Sequence, residues 1–233
     1  MISKNGFMFD NSTVANGYIR VLSKIGTKRY KIRFTNKKQQ YTYDLNNKGQ
    51  YETYPLQMGN GSYLIAVYEN VSGTRYRKLF SFKMNVKCDP LSPFLHPNQY
   101  AWYTDGSKAV SKSHELCVGL NNDQEKLDVV RDYIKRGFLY DYMKAIQVSS
   151  AGQYLPDLEK MMRDKKGICF DFAALVCCML RVQGIPTKME IGYACGGYHA
   201  WNRALINGKW RLIDVTAEIA KMPTGKYDTR LIY

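Results

Sequence analysis

Asn207-Gly208 stands between two runs rich in apolar, β-branched and aromatic residues, Tyr198 to Ile206 and Lys209 to Val215. Few short signals constrain a chain more. Both residues accept positive φ, so the pair closes a two-residue type I′ turn and joins two antiparallel strands. The register then follows by counting: Ile206 opposes Lys209, Trp201 opposes Asp214 and His199 opposes Thr216. Side chains alternate along a strand, which puts His199, Trp201 and Asp214 on one face. His199 and Asp214 become diagonal neighbours with β-carbons about 7 Å apart, within reach of an imidazole-carboxylate contact. A four-residue loop keeps this parity; a three-residue loop breaks it.

Thirty residues before His199 lies Cys169, at the start of CFDFAALVCCMLRVQ. Phe172, Ala173, Val176, Met179 and Leu180 repeat at close to 3.6 residues, which predicts a helix with one apolar face. Gly184 and Pro186 supply the stop. Cys169 therefore falls in the first turn, where unpaired N–H groups and the positive end of the helix dipole favour a thiolate. The same N–H groups can receive an oxyanion.

A thiol at a helix start, a histidine and a carboxylate make a nucleophile, a base and an orienter. Each alone has a plain structural reading: a core thiol, a histidine satisfied by backbone, a turn aspartate. Cys177 and Cys178, deeper in the same helix, read as ordinary core thiols. The conjunction of Cys169, His199 and Asp214 is what points to chemistry.

Several blocks carry a family resemblance. Gly167-Ile168-Cys169-Phe170-Asp171-Phe172-Ala173-Ala174-Leu175 resembles the nucleophile motif of the transglutaminase-like superfamily. Gly184-Ile185-Pro186-Thr187 resembles its helix exit, Tyr198-His199-Ala200-Trp201 its histidine strand, and Trp210-Arg211-Leu212-Ile213-Asp214-Val215-Thr216 its aspartate strand. The order and spacing match over roughly residues 120 to 216. The resemblance implies a papain-like α+β core, with the nucleophile helix packed on an antiparallel sheet. It implies Cys169 as nucleophile, His199 as general base and acid, and Asp214 as orienter. Leu139-Tyr140-Asp141 is similar to an upstream block whose aromatic residue lies near the site, making Tyr140 a candidate second oxyanion donor. Trp201, beside His199, is a further candidate for the oxyanion pocket or the cleft. The aspartate block runs on into Ala217-Glu218-Ile219 rather than into small polar residues, a departure that bears on cleft shape.

The chain of 233 residues divides near residue 88. Residues 1–88 hold six or seven short β-type runs with turn signals at Asn16-Gly17, Gly26-Thr27, Asn46-Asn47, Gly59-Asn60-Gly61 and Ser72-Gly73, the pattern of a small β-sandwich. The run from Gly61 to Val67 resembles a strand that carries a tyrosine corner, with Tyr63 as its tyrosine. Residues 89–122, opening with Asp89-Pro90-Leu91-Ser92-Pro93, read as a connector. Residues 123–233 read as the catalytic core, with helices over 124–136 and from Pro156-Asp157 to just before Gly167.

Charge follows the division. Residues 1–88 hold 15 Lys or Arg against 4 Asp or Glu, a net of +11; residues 89–233 hold 19 against 16, a net of +3. Cations interleave with aromatics from Lys28 to Phe34 and from Arg75 to Lys78. One reading is attraction to an anionic cell-surface polymer; the other is a solvated sheet face whose cations discourage edge pairing. No motif for sequence-specific nucleic-acid binding occurs.

Six cysteines include no CxxC pair, and no carboxylate run is spaced like a calcium loop, so neither a metal nor another cofactor is expected. Cys88 and Cys117 flank the connector and could bridge in an oxidising compartment. Cys195, before Gly196-Gly197, reads as a free loop thiol near His199. The longest apolar run, Phe172 to Leu180, is nine residues, too short to cross a membrane. Superfamily members with a β-rich N-terminal module are typically bacterial and exported, so the resemblance implies an extracytoplasmic or cell-surface protein beginning at an added Met1; a cytosolic one is the other reading.

Two function classes follow. The first is a cysteine acyltransferase, peptidase or amidase acting on a peptide or side-chain amide of a protein substrate. The second is a non-catalytic module whose basic β-domain holds an anionic surface.

Overall fold

A computed structural model describes the whole chain except residues 24, 25, 47, 152, 153, 195 and 224. The Asn46-Asn47 turn and the Cys195 thiol thus lie, wholly or in part, outside the described residues. The chain forms two compact units, Met1–Pro93 and Phe94–Tyr233.

Among the described residues, the first unit contains eight strands: β1 (Ile2–Lys4), β2 (Phe7–Asp10), β3 (Tyr18–Leu22), β4 (Tyr30–Asn36), β5 (Gln39–Leu45), β6 (Tyr51–Pro55), β7 (Gly61–Ser72) and β8 (Arg75–Val86). They build two four-stranded sheets, ordered β1-β2-β3-β6 and β5-β4-β7-β8, antiparallel throughout. Alternation sorts Phe7, Phe9, Ile19 and Val21 of one sheet, and Ile32, Phe34, Tyr63 and Ile65 of the other, to a buried face. Rings meet between the sheets: Tyr54 lies 5.7 Å from Phe34 and Phe9 4.9 Å from Phe82. Tyr63 donates its hydroxyl to the carbonyls of Leu56 and Gly59, at 2.8 and 2.9 Å, which ties the turn before β7 to the strand.

The second unit runs α1 (Lys108–Cys117), α2 (Asp123–Gly137), β9 (Leu139–Tyr140), α3 (Tyr142–Ala151), α4 (Leu158–Asp164), β10 (Lys166–Gly167), α5 (Cys169–Arg181), β11 (Thr187–Ala194), β12 (Gly197–Ile206), β13 (Lys209–Ile213), α6 (Val215–Ala220) and β14 (Asp228–Ile232). An antiparallel sheet, ordered β13-β12-β11-β14, carries α5, while β9 and β10 form a short parallel pair. The helix α5 is buried from Phe172 to Arg181, with α1, α2, α4 and α6 around it. Its anchor is Asn202 on β12, whose amide donates to Ala173 O of the helix and Lys188 O of the sheet, at 3.0 and 3.2 Å. The fold is thus α+β, with a β-rich first unit and a helix-on-sheet second one.

One sequence expectation differs from what is seen. Residues 94–122 belong to the second unit, because α1 buries Ala109, Val110, Ser113 and Cys117, and Ser113 Oγ donates to Met179 O of α5 at 2.6 Å. Cys88 and Cys117, whose pairing the sequence leaves open, are free thiols, the second of them buried.

Candidate active site

The helix start that presents Cys169 is built by a buried carboxylate. Asp171, the third residue of α5, is wholly buried and accepts the Ile168 N–H at 2.9 Å, which satisfies one of the donors a helix N-terminus leaves open. The same carboxylate accepts Lys144 Nζ from α3 at 2.7 Å and the Tyr154 hydroxyl. Gly167 makes room for it: a β-carbon there would stand 2.8 Å from Asp171 Cβ. Cys169 is then the first helical residue, its side chain all but buried.

The hairpin brings the other two groups. Asn207 and Gly208 have φ of 51° and 72°, and Ile206 pairs with Lys209 down to Asn202 with Ile213, as the turn chemistry requires. The strand ends at Ile213. Asp214 is therefore not a strand residue, nor is Thr216; Asp214 is the N-cap of α6, its Oδ1 accepting the Ala217 N–H at 2.9 Å. A cap needs only one carboxylate oxygen. The other, Oδ2, meets His199 Nε2 at 2.8 Å and accepts the Tyr227 hydroxyl at 2.9 Å. A carboxylate can only accept, so Nε2 carries the proton and Nδ1 is left for the sulfur. The Cys169 thiol lies close enough to the His199 ring to raise its pKa, and all three groups are nearly sealed from solvent.

Electrostatics follow this chain of contacts. Burial pulls the His199 pKa down, but hydrogen bonds and charges from Asp214 and Cys169 outweigh it and lift the ring to about 9. Burial pushes Asp214 up, yet His199 and the Ala217 and Tyr227 donors more than reverse that and hold it below the usual carboxylate range. The imidazolium form is favoured at neutral pH.

Tyr140 sits beside the sulfur because β9 pairs with β10, placing Tyr140 opposite Gly167, two residues before Cys169. Burial first, then a charge on Cys169, push its phenol up to about 12. Trp201 departs from expectation. It stacks on His199, with centroids 6.1 Å apart and planes at 24°, but it is buried and its indole N–H is given to Glu190 Oε2 at 2.9 Å. It braces the histidine and donates nothing to a cleft. Sequence reasoning missed Tyr227, whose surroundings lack any periodic pattern. It also missed Asp171, although an acid three residues after a helix N-cap is a readable signal. A cavity of about 590 Å³ lies behind Asp214, among Arg131, Arg211, Ala217 and Tyr227; neither Cys169 nor His199 lines it.

Residues 111–215 match the model of the transglutaminase-like superfamily, and the second unit contains a transglutaminase-like core. Enzymes of this superfamily are typically thiol-dependent. No curated protein matches the chain. Among solved structures, it is similar to a proposed protease from Parabacteroides distasonis, with 21% identity over 53% of this chain and 25% of that one and a TM-score of 0.38. It is similar to a TGase, with 22% identity over 53% of this chain and 32% of that one and a TM-score of 0.40. It is also similar to a proposed cysteine protease from Cytophaga hutchinsonii, with 15% identity over 87% and 80% and a TM-score of 0.46. The matched part of the chain spans only a quarter and about a third of the first two.

Proposed function

We propose that the chain is a cysteine acyl-transfer enzyme acting on a peptide or side-chain amide of a protein substrate. The observation that carries this reading is the hydrogen bond from His199 to Asp214 beside Cys169, which stands at the first turn of α5. In this account the Cys169 sulfur attacks the amide carbonyl and forms a C–S bond. The oxyanion that results faces the N–H groups of the helix start, with the Tyr140 hydroxyl as a second donor. His199, protonated and held by Asp214, gives its proton to the departing amine as the C–N bond breaks. The thioester left on Cys169 passes its acyl group to water, or to a primary amine in a cross-linking reaction.

Iodoacetamide labelling tests the reading. Fast, single-site alkylation of Cys169 that disappears in His199→Ala supports it. Slow labelling spread over several cysteines contradicts it. Adding a fluorescent primary amine to a protein substrate separates the two acceptors: incorporation means transfer, cleavage without incorporation means hydrolysis.

A second role is assigned to the basic first unit, as a holdfast on an anionic cell-surface polymer. Its carboxylates are already engaged: Asp10 by Arg20, Asp44 by Lys31, Glu69 by Lys28 and Arg77, and Glu52 by the Tyr54 hydroxyl. Among the described residues, most of its cations therefore lack an acidic partner within the unit, which supports anion attraction. Retention on a sulfated-dextran resin that falls steeply with salt is the expected result; passage through the resin at low salt removes this role.

A further inference from the structure

We infer that the amide taken by Cys169 is flanked by bulky apolar or aromatic side chains, in an extended peptide segment laid between two aromatic walls. This rests on the acyl-transfer reading and names its substrate class.

The observation is where exposed apolar surface collects. Among the described residues, seven of the thirteen large apolar side chains left exposed fall in two short stretches, 139–155 and 193–198. Phe170, the neighbour of Cys169, joins them: its ring centroid stands 6.4 Å from that of Tyr154 and 6.1 Å from that of Tyr198. On one side, Tyr140 lies close enough to feel a charge on the sulfur, and the Tyr142 ring meets it edge-on at 4.8 Å. Met143 and Ile146 carry the patch outward along α3, one turn apart; both are about two-thirds exposed, as is Tyr142. On the other side, Tyr198 also feels a charge on the sulfur, and its cross-strand partner Tyr193 stands 5.7 Å from it. Both of these rings are more than half exposed.

A soluble domain has no folding reason to leave such a cluster in water; contiguous exposed apolar surface marks a place where something binds. Here the nucleophile in its middle says what binds there. The chemistry of the walls says what kind. Charges beside the rings already have partners: Lys144 holds Asp171, Lys166 holds Asp141 and Arg230 holds Asp228. These three charged pairs are satisfied within the protein and do not themselves call for an acidic or basic side chain. Tyrosine rings offer broad apolar faces at small entropic cost, which suits aromatic and branched aliphatic residues.

The test uses chloroacetyl peptide amides, in which the Cys169 thiolate displaces chloride and forms a thioether. Three probes are compared: chloroacetyl-Phe-Leu-amide, chloroacetyl-Gly-Gly-amide and chloroacetyl-Glu-Glu-amide. Each rate is divided by the iodoacetamide rate of the same protein. The Phe-Leu probe is expected to label Cys169 at least tenfold faster than either of the others. That preference is expected to shrink below threefold in Tyr198→Ala or in Tyr142→Ser. Equal normalised rates for the three probes, with iodoacetamide still fast and confined to Cys169, overturn the inference alone. Slow, scattered iodoacetamide labelling overturns the acyl-transfer reading and the inference with it.

Discussion

Asp214→Asn is the substitution that isolates what the carboxylate does. An asparagine keeps the size of the side chain and one oxygen to cap α6, so the fold has little reason to change. It replaces the acceptor at His199 with an N–H₂ group or a weaker, uncharged oxygen. The ring then loses the partner that fixes its Nε2–H tautomer and stabilises its charge. The net lift of His199 from an ordinary 6.5 to about 9 corresponds to roughly 3 kcal/mol in favour of the imidazolium. Burial opposes that lift, so the favourable contacts contribute more than the net, and Asp214 heads them. Losing most of this costs about a hundredfold to a thousandfold in amide turnover. In the proposed reaction the imidazolium protonates the leaving amine and sets the alkaline limb of kcat/KM, which is expected to move from near 9 towards 7. The assay is a pH profile of turnover from 5.5 to 10, run on both proteins with matched far-UV spectra. A rate loss under threefold, or an alkaline limb that stays near 9, refutes the reasoning.

Lys144→Met leaves the wholly buried Asp171 carboxylate without its cation, which is expected to cost about 3 kcal/mol or more; thermal melting checks this, and adding Asp171→Asn should return part of the loss. Gly167→Ala drives a methyl against Asp171 Cβ at 2.8 Å, and denaturant melts should show about 1–3 kcal/mol of destabilisation, with slower Cys169 alkylation as the helix start shifts. Tyr227→Phe removes one donor to Asp214 Oδ2 and is expected to cost about 1.5 kcal/mol in the same melts, with only a few-fold loss of turnover. Stability should also track the ion pair. His199 is raised, so its contribution is full below 6.5 and fades as pH climbs through about 9; Asp214 is lowered, so its contribution is full above 3.8 and fades as pH falls below that. The wild-type Tm should therefore drop from pH 7 to pH 10 by more than that of His199→Ala.

Much of this was legible because turn and helix chemistry are local. Asn207-Gly208 sets its own register, and the observed pairs from Ile206-Lys209 to Asn202-Ile213 are those the dipeptide demands. The period from Phe172 to Leu180 and the stop at Gly184 place Cys169 at a helix start for equally local reasons. What could not be read is where tertiary contacts decide. The strand was expected to run through Asp214 to Thr216, but Asp214 caps α6, because its carboxylate competes for backbone N–H groups better than a sheet edge does. Helix α1 was hidden because Lys108 to Cys117 offers few apolar residues, and its burial depends on α5, some 60 residues later. Trp201 was placed on the correct face, yet only coordinates show its N–H spent on Glu190. Tyr227, a further donor to Asp214 Oδ2, lies in the sequence between α6 and β14 and leaves no trace in spacing.

The central claim is that a protonated His199 links the sulfur of Cys169 to the carboxylate of Asp214. Nitrogen-15 NMR of the imidazole, followed from pH 5 to pH 10.5, measures this directly. The account predicts that both His199 nitrogens stay protonated to about 9, with the midpoint falling in Asp214→Asn. A ring that titrates near 6.5, and does so alike in both proteins, contradicts it.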